Sequence, residues 1–130
     1  MLPAAHRLRS AADFTAVTKH GRRARSGSMV VYLLTEPAGP DDPGRAGLVV
    51  GKAVGGSVVR HRVSRRLRAQ LQERLDRIPS GARLVVRALP ETSTASSAAL
   101  GRDLGRALDK LSSQAEQRAG ASKEGSGSSR

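Results

Sequence analysis

An apolar side chain recurs at every fourth position from Val59 to Leu75, and this spacing is the strongest constraint that the sequence places on the fold. At about 100° per residue, a step of four turns the stripe by only about 40°, so these side chains share one broad face of a helix. Ser57 is predicted to cap the helix at its start, and Pro79 to end it shortly after Arg77. A helix with one apolar face needs an apolar layer to pack against.

Three runs of aliphatic and β-branched residues can supply that layer. They are "SMVVYLLT" at 28–35, "AGLVVGK" at 46–52 and "RLVVRAL" at 83–89. Each is short and strongly apolar, which is typical of a buried strand. The first two are expected to pair antiparallel across the Pro- and Gly-rich loop 36–45, and residues 21–26 are expected to add a short edge strand.

Two further helices are predicted outside this central part. The helix Ser10–His20 begins with a capping serine, and residues 93–111 carry leucines at helical spacing. The predicted order is α-β-β-β-α-β-α, an α/β (α+β) sandwich in which helices cover one side of a small, mostly antiparallel sheet of about four strands. Residues 1–111 form this single domain, and the polar residues 112–130 are predicted to be a disordered tail.

The formal net charge of +12 indicates that the chain binds an anionic partner. A compact domain tolerates such self-repulsion best when a polyanion neutralises it, so nucleic acid is the first expectation and an anionic membrane surface the second. No apolar run is long enough to span a membrane, and we expect a cytoplasmic protein that is a monomer when free. The chain has no cysteine and its acidic residues are scattered, so it is not expected to bind a metal by itself.

The helix that starts at Ser57 also carries the densest positive charge in the chain. Its segment "VVRHRVSRRLR", residues 58–68, holds five arginines and His61, and no acidic residue lies between Ser57 and Gln72. Ordinary surface helices interleave acids that pair with such charges at i, i+4 spacing. We therefore favour contact with a polyanion over a merely solvated face, and we interpret His61 as a polar surface residue or an RNA contact instead of a metal ligand.

The segment "GLVVGKAVGGSVVRHRVSRRLR" resembles the signature of the bacterial ribonuclease P protein component family, in which a strand ending in lysine and a Val-Gly turn precede a basic helix. The resemblance extends to "LPAAHRLRSAADFTAVTKHGRR", "MVVYLL" and "GARLVVRALP", in the family's order over about residues 2–111. The chain departs from the family pattern at five positions, which are Thr18, Ala53, Gly56, His61 and Ser64.

The resemblance implies a fold like that of ribosomal protein S5 domain 2 and a part in a ribonucleoprotein endonuclease. In that family the protein assists a catalytic RNA that removes the 5′ leader from precursor tRNA. The RNA subunit carries the chemistry together with magnesium ions, so no catalytic residue is expected on the protein. The implied partners are the catalytic RNA and precursor tRNA.

Two RNA-binding surfaces follow from the resemblance. The set expected to bind the catalytic RNA is Lys52, Arg60, His61, Arg62, Arg65, Arg66 and Arg68. The set expected to bind the single-stranded leader, on the sheet face beside the first helix, is Phe14, Tyr32, Arg7, Arg9 and Lys19. The two aromatic rings of this second set would act as stacking platforms.

Alternatives stay open at this point. A ribosomal or ribosome-assembly protein fits the composition, size and charge equally well. The feature that distinguishes the two hypotheses is the lysine-turn-arginine-helix signature after a first helix that contains Phe14. A nucleoid DNA-binding protein also fits the charge, but we would expect a helix-turn-helix or a dimer arm in it. Phe14 is as consistent with a core residue packed against Val17 as with a leader contact, and Tyr32 is also consistent with a core tyrosine.

Overall fold

A computed structural model of the chain describes residues 6–8, 10–35 and 43–124, with side chains described as far as Ser113. The elements in chain order are α1 (Ala11–His20), β1 (Arg22–Ser26), β2 (Met29–Leu34), β3 (Arg45–Val49), α2 (Ser57–Gln72), β4 (Arg83–Ala88) and α3 (Ser97–Glu124). Short 3₁₀ helices at Leu75–Arg77 and Pro90–Thr94 precede β4 and α3. The predicted order of helices and strands is confirmed, including the short edge strand β1.

The four strands form one sheet in the order β1-β2-β4-β3. β1 and β4 both pair antiparallel with β2, whereas β3 pairs parallel with β4. The predicted antiparallel pairing between the runs 28–35 and 46–52 is therefore wrong. A strand that is buried on both faces belongs in the interior of a sheet. Leu84, Val85 and Val86 of β4 are completely buried, and β4 accordingly separates β2 from β3.

Helices cover both faces of this sheet, so the prediction that they cover one side is wrong. α2 and α3 pack together on one face and form the main core. α1 packs on the opposite face, where its buried Val17 contacts Tyr32 of β2 and Val85 of β4. The physical reason lies in the strands themselves: their side chains are apolar on both faces, and each face needs cover.

α2 follows the predicted apolar stripe, but its ends differ from the prediction. Along the stripe, the fully buried residues are Val63, Leu67 and Leu71. Gly56 is the N-cap, and Ser57 is the first helical residue, with no side-chain capping hydrogen bond. The helix ends at Gln72 because the backbone of Arg74 leaves helical geometry, with φ −122° and ψ 17°, and its guanidinium donates to the carbonyl of Gln70 at 2.9 Å.

α3 buries the predicted leucine stripe, which comprises Leu100, Leu104, Leu108 and Leu111. The helix begins at Ser97 and continues to Glu124, so residues 112–124 are helical where an irregular tail is predicted. Residues 125–130 lie outside the described part, and the division of the chain at residue 111 stays a prediction. Within the described residues, none of the helices combines the length and hydropathy that crossing a membrane requires.

The hairpin that joins β1 to β2 is fastened to α3 by one carboxylate. Gly27 in this turn has φ +53°, a left-handed conformation that glycine adopts without strain. The next residue, Ser28, donates its backbone N–H and its hydroxyl to Oδ2 of Asp103, at 3.0 Å and 2.7 Å. Asp103 therefore holds the turn against α3, and with it the edge of the sheet.

The N-cap of α1 contributes to the stability of the protein, and the effect of removing it can be predicted. Ser10 Oγ accepts a hydrogen bond from the backbone N–H of Asp13 at 3.2 Å. Ser10→Ala should lower the free energy of unfolding by about 1 kcal/mol, because it removes this cap, whereas Ser10→Asn should retain most of the stability. Thermal unfolding of the two variants checks the prediction, and equal melting temperatures for both would contradict it.

Candidate nucleic-acid interface

A cleft opens on the sheet face that carries α1. α1 forms one wall, and the sheet and the turn after β3 form the floor and the far side. The cleft holds a cavity of about 380 Å³ lined by Phe14, Thr15, Thr18, Tyr32, Val49, Gly51, Ala53, Val54, Arg87, Ala88, Leu89 and Pro90. Both aromatic residues of the chain are in this set. The lining is mainly apolar, which suits the faces of unpaired bases better than phosphates.

Phe14 combines the two roles that the sequence left open for it. Its half-buried side chain lies over Gly47 of β3, where the Cβ of any other residue would collide with the ring. It also packs on the small apolar cluster of Val17 and Val85, and it lines the cleft. Tyr32 is 8% exposed, so most of it belongs to that cluster and only one part faces the cleft.

A second cavity, of about 240 Å³, is lined by Phe14 together with two cationic side chains. Arg7 and Arg68 line this cavity, although they come from distant parts of the chain. Arg7 is placed there because its backbone bridges to Ala46 beside the β3 edge. Arg68, predicted for the catalytic RNA, thus lies on the same cavity as two residues predicted for the leader.

Of the two remaining cations of the predicted leader set, the structure describes only Lys19. Lys19 is exposed on α1, but it lines neither of the two cavities beside Phe14. Arg9 lies outside the described residues.

Arg87 is a cleft residue that the sequence analysis missed. It is exposed on β4, opposite Val30 of β2 and Val49 of β3, and it lines the larger cavity. A signal for it was present in the sequence. A charged residue inside a strand that is otherwise buried must point to an open part of the sheet, because burying an unpaired charge is costly.

The predicted catalytic-RNA set lies along α2 and in the turn before it. Lys52 is exposed in that turn. His61 and Arg65 are exposed on α2 and, with Arg62, line a shallow depression of about 480 Å³ at the start of the helix. Val58 lies in the same depression and is 78% exposed.

Arg62 and Arg66 have a structural role as well. Arg62 donates to the carbonyl of Ser93 at 3.2 Å, and Arg66 to the carbonyl of Ala95 at 3.0 Å. Both are half-buried and tie α2 to the segment that leads into α3. These two arginines, which were predicted to bind the catalytic RNA, therefore also stabilise the packing of α2.

Part of the positive charge on α2 is incompletely satisfied by the protein. The Nε atoms of Arg60 and Arg62 are buried and have no hydrogen-bond partner among the described residues. Guanidinium groups form their strongest hydrogen bonds with phosphate and carboxylate oxygens. These two atoms are closed to an external anion, but α2 contains no acidic residue and its exposed Arg65 is open to one.

The described residues contain no group of three or more His, Asp or Glu side chains arranged to hold a metal ion. The geometry that they do contain is suited to binding. One face of the sheet offers a cleft with aromatic and apolar walls, and the helix on the other face offers a row of cations.

Comparison with known proteins identifies the family. The family model described as Ribonuclease P matches residues 2–112. The ribonuclease P protein component of a Nocardioides species is 48% identical over 108 residues, which cover 83% of this chain and 92% of that protein. The protein component of Streptomyces bikiniensis is 48% identical over 117 residues, covering 85% and 95%.

Solved structures agree with this at the level of the fold. The RNase P protein of Staphylococcus aureus superposes with a TM-score of 0.70 at 23% identity, covering 80% of this chain and 93% of that one. The RNase P protein of Thermotoga maritima gives a TM-score of 0.66 at 24% identity, covering 78% and 93%. With a family model that spans most of the sequence and relatives nearly half identical over almost their whole length, the chain belongs to the ribonuclease P protein component family.

Proposed function

We propose that the chain assists the RNA subunit of ribonuclease P in removing the 5′ leader from precursor tRNA. The observation that carries this proposal is the presence, in a member of the family, of an aromatic cleft and an acid-free basic helix on opposite faces of one sheet. α2 and Lys52 bind the catalytic RNA, and the cleft binds the leader. The ribosomal or ribosome-assembly interpretation is set aside because the family match spans residues 2–112.

The chemistry of the two surfaces supports the assignment of the cleft to the leader and of α2 to the catalytic RNA. Unpaired nucleotides expose base faces that stack on aromatic rings, and Phe14 and Tyr32 are the only Phe, Tyr or Trp residues in the chain. Arg7 and Arg87 lie beside these rings and can neutralise leader phosphates. Folded RNA instead presents phosphates and 2′-hydroxyls, for which the arginines of α2 are suited.

The protein contributes no catalytic residue in this proposal. The RNA subunit and its magnesium ions carry out hydrolysis, and the chain raises the affinity for substrate and stabilises the RNA. Binding of this cationic protein lowers the concentration of magnesium that the RNA needs for folding and substrate binding, because both neutralise the same phosphates. The proposed site of action is the cytoplasm.

Reconstitution tests the proposal. The protein, mixed with a bacterial ribonuclease P RNA, should restore cleavage of precursor tRNA at low magnesium concentration, where the RNA alone is inactive. RNA-free protein should give no cleavage. Product with a mature 5′ end made by purified protein alone would contradict the division of labour, and failure to stimulate the RNA would contradict the proposed function itself.

A further inference from the structure

α3 carries a second basic stripe that neither proposed surface uses. Arg102, Arg106 and Lys110 are exposed and spaced four residues apart, on the side of the helix away from the buried leucines. Like charges at this spacing destabilise a helix. The helix dipole does not offset the repulsion, because α3 continues to Glu124 and the dipole acts only within the last turn.

Among the side chains that the structure describes, the nearby carboxylates neutralise this charge only in part. Asp109 forms an ion pair with Arg77 at 2.7 Å. Asp103 accepts both hydrogen bonds of Ser28, and its other oxygen lies 3.9 Å from the guanidinium of Arg106, beyond hydrogen-bond distance. The stripe therefore remains positively charged after these intramolecular interactions are taken into account.

This stripe lies in the same layer as the arginines of α2 and runs parallel to them. α2 and α3 advance in the same direction, because the hydrogen bonds along them progress from Arg66 of α2 with Ala95, just before α3, to Arg77, just after α2, with Asp109 of α3. Helices packed in this way have axes about 8–10 Å apart. The layer thus presents two lines of cations, one on each helix.

The chemistry of this layer points to a base-paired RNA. Phe14 and Tyr32 lie on the opposite face of the sheet, so neither of these rings is available here for stacking on unpaired bases. Two parallel lines of cations match the backbone of a double helix, which protein surfaces recognise by its phosphates and 2′-hydroxyls. We propose that Arg102 and Arg106 bind the backbone of a helical segment of ribonuclease P RNA, next to the RNA contacted by α2. This inference rests on the proposed function.

A charge-matched pair of variants tests the inference. In Arg102→Gln/Arg106→Gln, two charges are removed from α3, and Lys110 keeps its hydrogen bond to the carbonyl of Arg25 at 2.7 Å. In the control, Arg23→Gln/Arg25→Gln, two exposed charges are removed from edge strand β1. The net charge falls equally in both proteins, so an effect of overall charge alone would be the same in both.

We expect the α3 variant to bind the RNA subunit severalfold more weakly, with a salt dependence flattened by roughly 0.7–0.9 in log–log slope for each phosphate that is no longer neutralised. The β1 control should bind as the unaltered protein does. Equal reductions in affinity in the two variants would overturn the inference. Failure of the unaltered protein to bind the RNA would instead contradict the proposed function.

Binding to a short RNA hairpin, to an unpaired oligonucleotide and to lipid vesicles tests whether the partner of α3 is base-paired RNA. The α3 variant should bind a short RNA hairpin more weakly than the unaltered protein does, while its affinity for an unpaired oligonucleotide of the same length is retained. An equal reduction for both probes would overturn the assignment to paired RNA. Binding to phosphatidylserine vesicles that disappears in this variant, with hairpin binding retained, would overturn it in favour of a membrane surface.

Discussion

Replacing Arg60, Arg65 and Arg68 together with alanine is expected to weaken binding of ribonuclease P RNA by well over tenfold and to leave the protein folded. A hydrogen bond to a charged group contributes about 1.5–3 kcal/mol, and tenfold in affinity corresponds to about 1.4 kcal/mol. The log–log slope of affinity against salt should fall by roughly 0.7–0.9 for each phosphate that the variant leaves unneutralised. The fold should survive because these side chains lie off the buried stripe of α2.

A matched variant on the same helix separates binding from stability. Arg62 and Arg66 donate to backbone carbonyls of Ser93 and Ala95, so Arg62→Ala/Arg66→Ala should lower the melting temperature as well as the affinity. Filter binding over a range of salt concentrations, together with thermal unfolding, measures both effects. A triple variant that keeps the salt slope of the unaltered protein would mean that the arginines of α2 are only solvated.

The sequence predicted the elements of the fold better than their arrangement. Spacing by four residues located α2 and its buried stripe, because a helix must present such side chains on one face. It could not show that β4 lies between β2 and β3, since strand order depends on which pairing buries the most surface in three dimensions. The ends of α2 and α3 were also missed. α2 stops at Gln72, where Arg74 leaves helical geometry, and α3 continues to Glu124 through a polar segment in which apolar spacing gives no sign of a helix.

The candidate site was predicted in a similar way. Residue type located Phe14 and the arginines of α2, since aromatic rings and cations are the groups that bind RNA. The sequence did not reveal that Arg68 and Arg7 line one cavity beside Phe14, because that arrangement depends on the packing of three separate segments. Nor did it show that Arg62 and Arg66 are partly used to hold the segment before α3 in place.

Phe14→Ala is expected to weaken binding of precursor tRNA to the assembled enzyme by about tenfold or more, because stacking of a base on an aromatic ring contributes roughly 1–3 kcal/mol. Mature tRNA, which has no leader, should bind with nearly unchanged affinity. Phe14 is only half-buried, so the decrease in stability should be smaller than the roughly 3–5 kcal/mol of a fully buried phenylalanine.

A neighbouring residue provides the control that this experiment needs. Val17 is fully buried in the same cluster, but it does not line the cleft. Val17→Ala should therefore lower the melting temperature without changing the ratio of precursor to mature tRNA affinity, whereas Phe14→Ala should change that ratio. If both variants are less stable and neither alters the ratio, Phe14 is a packing residue that fills the space over Gly47, and the leader is held by other groups. Phe14→Leu then separates the two roles further, since leucine restores apolar packing on β3 but offers no ring on which a base can stack.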